Sequence, residues 1–141
     1  MRTRVLLLDG PQRAIVCALL ESGDSPIQDY LESLDVKDYT QFFNRFTRMS
    51  LDGKIGSKEQ FRHRVHTIWC TWNGKGTEFP VGEFKIHSGT GKRIMACLDG
   101  REWVLTHGFR KGSKLATEGE KAGWIFCQDR NLRLKNAAAE G

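Results

Sequence analysis

Asp99-Gly100 separates two short β-rich runs, Lys92 to Leu98 and Glu102 to His107. Asp-Gly supplies the positive backbone φ that a two-residue hairpin turn needs, so the two runs are expected to pair as antiparallel strands. Upstream, Glu83-Phe84-Lys85-Ile86-His87 alternates polar and apolar residues, and Ser88-Gly89-Thr90-Gly91 turns the chain back. The result is a three-stranded meander with one apolar face. The rest of the chain has to cover that face.

Helix signals precede the meander. Ser25-Pro26-Ile27-Gln28 places an N-cap, a proline at the first helical position and a glutamine three residues past the cap. Ile27, Tyr30, Leu31 and Leu34 recur at helical spacing. A second start at Asp35 leads into Val36, Tyr39, Phe42, Phe43, Phe46 and Met49, an apolar stripe that ends near Asp52-Gly53. Two helices joined almost without a loop are expected to form a hairpin. Arg13 to Leu20 reads as a buried strand, and Val5 to Leu8 either pairs with it or extends loosely. Ser57 to Arg64 reads as a short polar turn and His66 to Trp72 as a strand. Asn73 to Gly76 reads as a turn, with Pro80 restarting the chain. Thr117-x-x-Glu120 opens a last helix that buries Ala122, Ile125 and Phe126, and residues 136–141 read as a frayed tail.

At 141 residues, 39% apolar and 28% charged, the chain is expected to be one soluble globular domain over 1–141, with 1–12 an extension or extra strand. No apolar run approaches a membrane helix, and the four-residue apolar core of Val5 to Leu8 is too short for a secretory signal, so the expected location is cytoplasmic. Cys17, Cys70, Cys97 and Cys127 are far apart in apolar stretches and read as buried free thiols. Residues 1–60 carry eight Lys and Arg against nine Asp and Glu, while residues 61–141 carry fourteen against eight. A basic second half favours a polyanionic partner.

Lys85 and His87 share a strand face with Glu83, opposite Phe84 and Ile86. With the apolar face on the helices, that face looks outward. Hairpin pairing can then bring in Arg93 from the next strand and His107, Arg110 and Lys111 from the third. Such a patch suits metal-free RNA cleavage. A base takes the ribose 2′-OH proton, the oxygen attacks phosphorus, fixed cations hold the extra charge, and an acid protonates the leaving 5′-oxygen. Guanidinium forks fit phosphate oxygens, and His87 is the candidate that titrates near neutrality. His63-x-x-His66 with Cys70 lacks an obvious fourth zinc ligand, and Gly108, Gly112 and Gly119 form no P-loop or dinucleotide pattern. No metal or cofactor is expected.

In order and spacing, several of these segments resemble the RelE/ParE toxin superfamily, closest to its HigB-like, phage-derived branch. The carrying residues are Ser25 to Leu34, Glu83-Phe84-Lys85-Ile86, Lys92-Arg93-Ile94 and Leu105-Thr106-His107-Gly108-Phe109-Arg110-Lys111, with Ala122 in the last helix. The resemblance covers roughly residues 13 to 134. It implies an α+β fold, a small twisted antiparallel sheet packed against an N-terminal helical hairpin and a C-terminal helix. It implies a toxin of a type II toxin–antitoxin pair that cleaves mRNA on the ribosome and leaves a 2′,3′-cyclic phosphate. The implied partners are a helix-turn-helix antitoxin of the HigA kind, the ribosome and mRNA.

Catalytic roles are implied for Lys85, His87, Arg93, Arg110 and Lys111, and RNA contacts for His107, Lys114 and Lys92. Trp69 and Trp72 read as core or as antitoxin-contacting surface. The chain departs from the family at Lys111-Gly112, where the family has Lys-Lys, and at Leu115-Ala116, near which RelE-type members often carry a Tyr. Alternatives on the same fold are a ParE-like gyrase poison and a non-catalytic, phage-derived interaction protein.

Overall fold

The computed structural model describes residues 4–86 and 91–140. In chain order the elements are β1 (Val5–Asp9), β2 (Ala14–Cys17), α1 (Pro26–Ser33), α2 (Val36–Asp52), β3 (Phe61–Trp72), β4 (Lys75–Lys85), β5 (Lys92–Asp99), β6 (Glu102–Arg110) and α3 (Leu115–Glu140). The strands form one six-stranded sheet in the order β1-β2-β6-β5-β4-β3. The expected meander is its centre, β4-β5-β6. The sheet is mixed rather than wholly antiparallel, because β2 runs parallel to β6. The connection from β2 to β6, through α1, α2 and the strands β3 to β5, is long enough for parallel pairing.

Helix ends follow the local chemistry. Ser25 Oγ accepts from the Gln28 amide at 3.3 Å, and Asp35 Oδ1 accepts from the Asp38 amide at 2.8 Å. Gly53, at φ 77°, takes the left-handed position that ends α2, and its amide donates to Met49 O at 2.8 Å.

The two sheet faces are covered by different helices. Ile15, Phe84, Ile86, Ile94, Trp103 and Leu105 pack with Ile27 and Leu31 of α1 and with Phe42, Phe46 and Met49 of α2. Val16, Ile68, Val81, Met95, Cys97 and Val104 pack with Ala122, Ile125 and Phe126 of α3. Burial on both faces explains why β2 reads as a continuous apolar run. The expected α1–α2 hairpin is replaced by two helices that each lie on the sheet, α1 on β6 and α2 across β1, β2 and β4. The apolar stripe of each helix is satisfied by strands.

Other expectations shift. The turn between β5 and β6 is Gly100-Arg101, with Asp99 and Glu102 the last paired residues. Gly100, at φ 61°, holds the first turn position, which needs glycine. Asn73-Gly74, at φ 51° and 76°, is a tight hairpin turn, so Lys75 and Gly76 already belong to β4. Strand β3 starts at Phe61, so residues 61–64 are strand and not turn. Pro80 lies inside β4, beyond the stretch that β5 pairs (Val81 to Lys85), where a missing amide is tolerated. Val5–Asp9 pairs with β2, and α3 continues as helix through Glu140. Cys70 and Cys127 are disulfide-bonded, not free; the bond ties β3 to α3 because both residues lie where those elements meet. Cys17 and Cys97 are the buried free thiols. Among the described residues, no helix is long and apolar enough to cross a membrane.

Candidate functional site

A bulge decides which side chains meet. Met95 faces His107 and Ala96 faces Leu105, so Thr106 is an extra residue on β6. Alternation is reset beyond it. Val104 and Phe109 both belong to the α3 side, while Leu105 and Gly108 both face the α1–α2 side. Thr106 is fully buried, and its hydroxyl donates to Met95 O at 3.2 Å.

Strand register then places a polar row across the α3 side. Arg62 pairs with Glu83, Glu83 with Met95, and Met95 with His107. One pair further out, Lys85 is opposite Arg93 and Arg93 opposite Phe109. The sheet end therefore gathers Arg62, Glu83, Lys85, Arg93 and His107 near the start of α3.

The electrostatics of this group are mutual. Lys85 Nζ lies 3.8 Å from Glu83 Oε1 and donates to Lys58 O at 3.1 Å. Burial raises the Glu83 pKa, against the opposing pull of Lys85, Arg93 and Arg62. Burial lowers the Lys85 pKa; Glu83 counters this, while Arg62 and Arg93 add to it. An acid moved up and an amine moved down approach each other in proton affinity. The Arg93 guanidinium, almost fully buried, donates to Ile86 O at 3.4 Å and to Lys92 O at 3.1 Å.

The remaining residues named from the sequence divide between places. Lys92 lies on the α1–α2 side, where its Nζ meets Asp38 Oδ2 at 2.7 Å. Arg110 acts electrostatically on Tyr30 of α1, as does Arg93. Burial, with Asp38 adding to it, raises the Tyr30 phenol pKa to about 12, and its buried hydroxyl has no hydrogen-bond partner among the described residues. Arg93 thus acts electrostatically on Glu83 and Lys85 and on Tyr30.

His107 points inward. Its Nε2 lies 3.3 Å from Glu118 Oε2, and burial lowers its pKa against that bond. Lys111 and Lys114 are exposed beyond β6. His87 lies outside the described residues. Glu83, Arg62 and Glu118 join the group without being among the site residues expected from the sequence. Only Glu83 carried a signal, because it alternates with Lys85 on one strand.

Among the described residues, no three His, Cys, Asp or Glu side chains gather as metal ligands. No family model matches the chain, and no curated protein or solved structure matches it.

Proposed function

We propose that the protein is a metal-free endoribonuclease acting on ribosome-bound mRNA, the toxin of a type II pair with a HigA-like antitoxin. The reading rests on the resemblance together with one observation. Lys85, its pKa lowered, sits beside buried Glu83 with Arg93 and Arg62 around the pair. In this reading the neutral Lys85 amine takes the 2′-OH proton. The 2′-oxygen bonds to phosphorus and the bond to the 5′-oxygen breaks. The departing oxygen takes a proton from an acid, and His87 is the candidate in the sequence that titrates near neutrality. Arg93, Arg62 and Arg110 hold the phosphorane charge, and Glu83 positions and tunes Lys85. Trp69 on the edge strand β3 and Trp124 on α3, both exposed, support a protein partner.

Primer extension on a defined mRNA, with and without ribosomes, tests this. Cuts are expected only with ribosomes, and Lys85→Ala should slow them by about a hundredfold or more with native circular dichroism. Intact mRNA with folded wild-type protein would overturn the reading. A non-catalytic binder has one observation in its favour: the Arg93 guanidinium already bonds two backbone carbonyls.

A further inference from the structure

On the α1–α2 side, a cavity of about 470 Å³ opens between the end of α2, the 53–58 connection, the start of β3 and Trp103 of β6. Among the described residues, six basic ones line it, Arg13, Lys54, Lys58, Arg62, His63 and Arg64, and no Asp or Glu does. Its floor includes Phe61 and Trp103, both buried in the core, whose rings meet edge-on at 5.2 Å, and His63 stands edge-on to Trp103 at 6.1 Å. Gly82 makes room for both rings. A Cβ there would lie 2.7 Å from Phe61 Cζ and 3.0 Å from Trp103 Cη2.

Arg64 meets Glu78 at 3.3 Å in a half-exposed pair, and Arg62 shares the field of Glu83. Arg13 Nε is buried with no hydrogen-bond partner among the described residues. A concave site of this size with guanidinium groups at its walls and aromatic rings behind them matches an anion with a flat, apolar body. A carboxylate would leave most of those donors unused; a phosphate uses several.

We propose that this cavity binds a nucleoside monophosphate unit, its phosphate on Arg13 and Lys54 and its base toward the floor that Phe61 and Trp103 form. The unit comes either as a free nucleotide or as part of an RNA strand. The site does not depend on RNA cleavage at the rim.

Binding to the full-length protein tests it without ribosomes. Titration of AMP, GMP, CMP and UMP is followed by the Trp103 indole signal in nitrogen-edited NMR, with adenosine, inorganic phosphate and a short RNA oligonucleotide run in parallel. At least one monophosphate should shift Trp103, with adenosine and phosphate each about tenfold weaker or worse. The double variant Arg13→Gln/Lys54→Ala should lose affinity by about tenfold or more with unchanged circular dichroism. Should that variant unfold, Lys54→Ala alone, at an exposed position, tests the same cation set. Competition by the oligonucleotide assigns the site to RNA; its absence assigns it to free nucleotide. The proposal fails if no monophosphate shifts Trp103, or if inorganic phosphate binds as tightly as the nucleotides.

Discussion

A Cβ placed on Gly108 would lie 2.3 Å from the Tyr30 ring. The side of β6 that faces α1 is therefore fitted to a bare backbone. Gly108→Ala has to displace α1, and overpacking of this kind costs about 1–3 kcal/mol. Urea unfolding should show that loss, and Tyr30→Ala in the same chain should recover part of it. Equal and additive losses would mean that the two residues do not press on each other.

Arg4 is buried among three acids. It meets Asp129 at 2.5 Å, Glu102 at 2.8 Å and Asp99 at 2.9 Å, while Asp129 also accepts from the Leu19 amide at 2.9 Å. Removing one partner of a buried network leaves uncompensated charge, so Arg4→Ala should cost about 3–5 kcal/mol. The half-exposed Arg64–Glu78 pair gives the contrast: Glu78→Ala should change stability by about 0–1 kcal/mol. Chemical denaturation of both variants measures the difference.

His107 makes stability depend on pH. Its folded pKa lies below the ordinary value because burial outweighs Glu118. The unfolded chain then binds the proton at higher pH than the folded one. The contribution is complete above about pH 6.5 and is lost as pH falls toward the folded value. Buried Glu83 and Asp129, both raised, act in the opposite sense. The clean readout is therefore the difference between wild type and His107→Gln. Wild type should lose stability relative to the variant between pH 7 and pH 5, and parallel curves would refute the assignment.

Glu83 holds the Lys85 ammonium up against burial and the neighbouring arginines. Glu83→Gln removes that support, so the Lys85 pKa should fall further. Carbon-detected NMR titration of the Lys85 side chain measures it directly. If cleavage is active, its rising limb should move to lower pH in the variant. An unchanged Lys85 titration would show that the two groups are not coupled.

Much of the local structure was legible in the sequence because its causes are local. Ser25, Asp35 and Gly53 cap helices within one turn of themselves, and Gly100 and Asn73-Gly74 set backbone angles where they stand. The α+β class and the central β4-β5-β6 meander follow from alternation and turn chemistry. The site was legible only in part. Lys85 and Arg93 meet as alternation suggested, whereas Lys92 is drawn to Asp38 of α2 and His107 to Glu118 of α3.

The tertiary structure decided what depends on partners distant in the chain. The parallel β2–β6 pairing, the Cys70–Cys127 bond and the Arg4 network join residues from 57 to 125 positions apart, and no local pattern encodes such meetings. The Thr106 bulge is the sharpest case. Read alone, the β6 sequence gives no sign of a bulge. One inserted residue, held by the Met95 carbonyl, turns His107 and Phe109 toward α3 and leaves Gly108 to receive Tyr30. Side-chain direction along a strand has a period of two, so a single unpaired residue reverses every face beyond it.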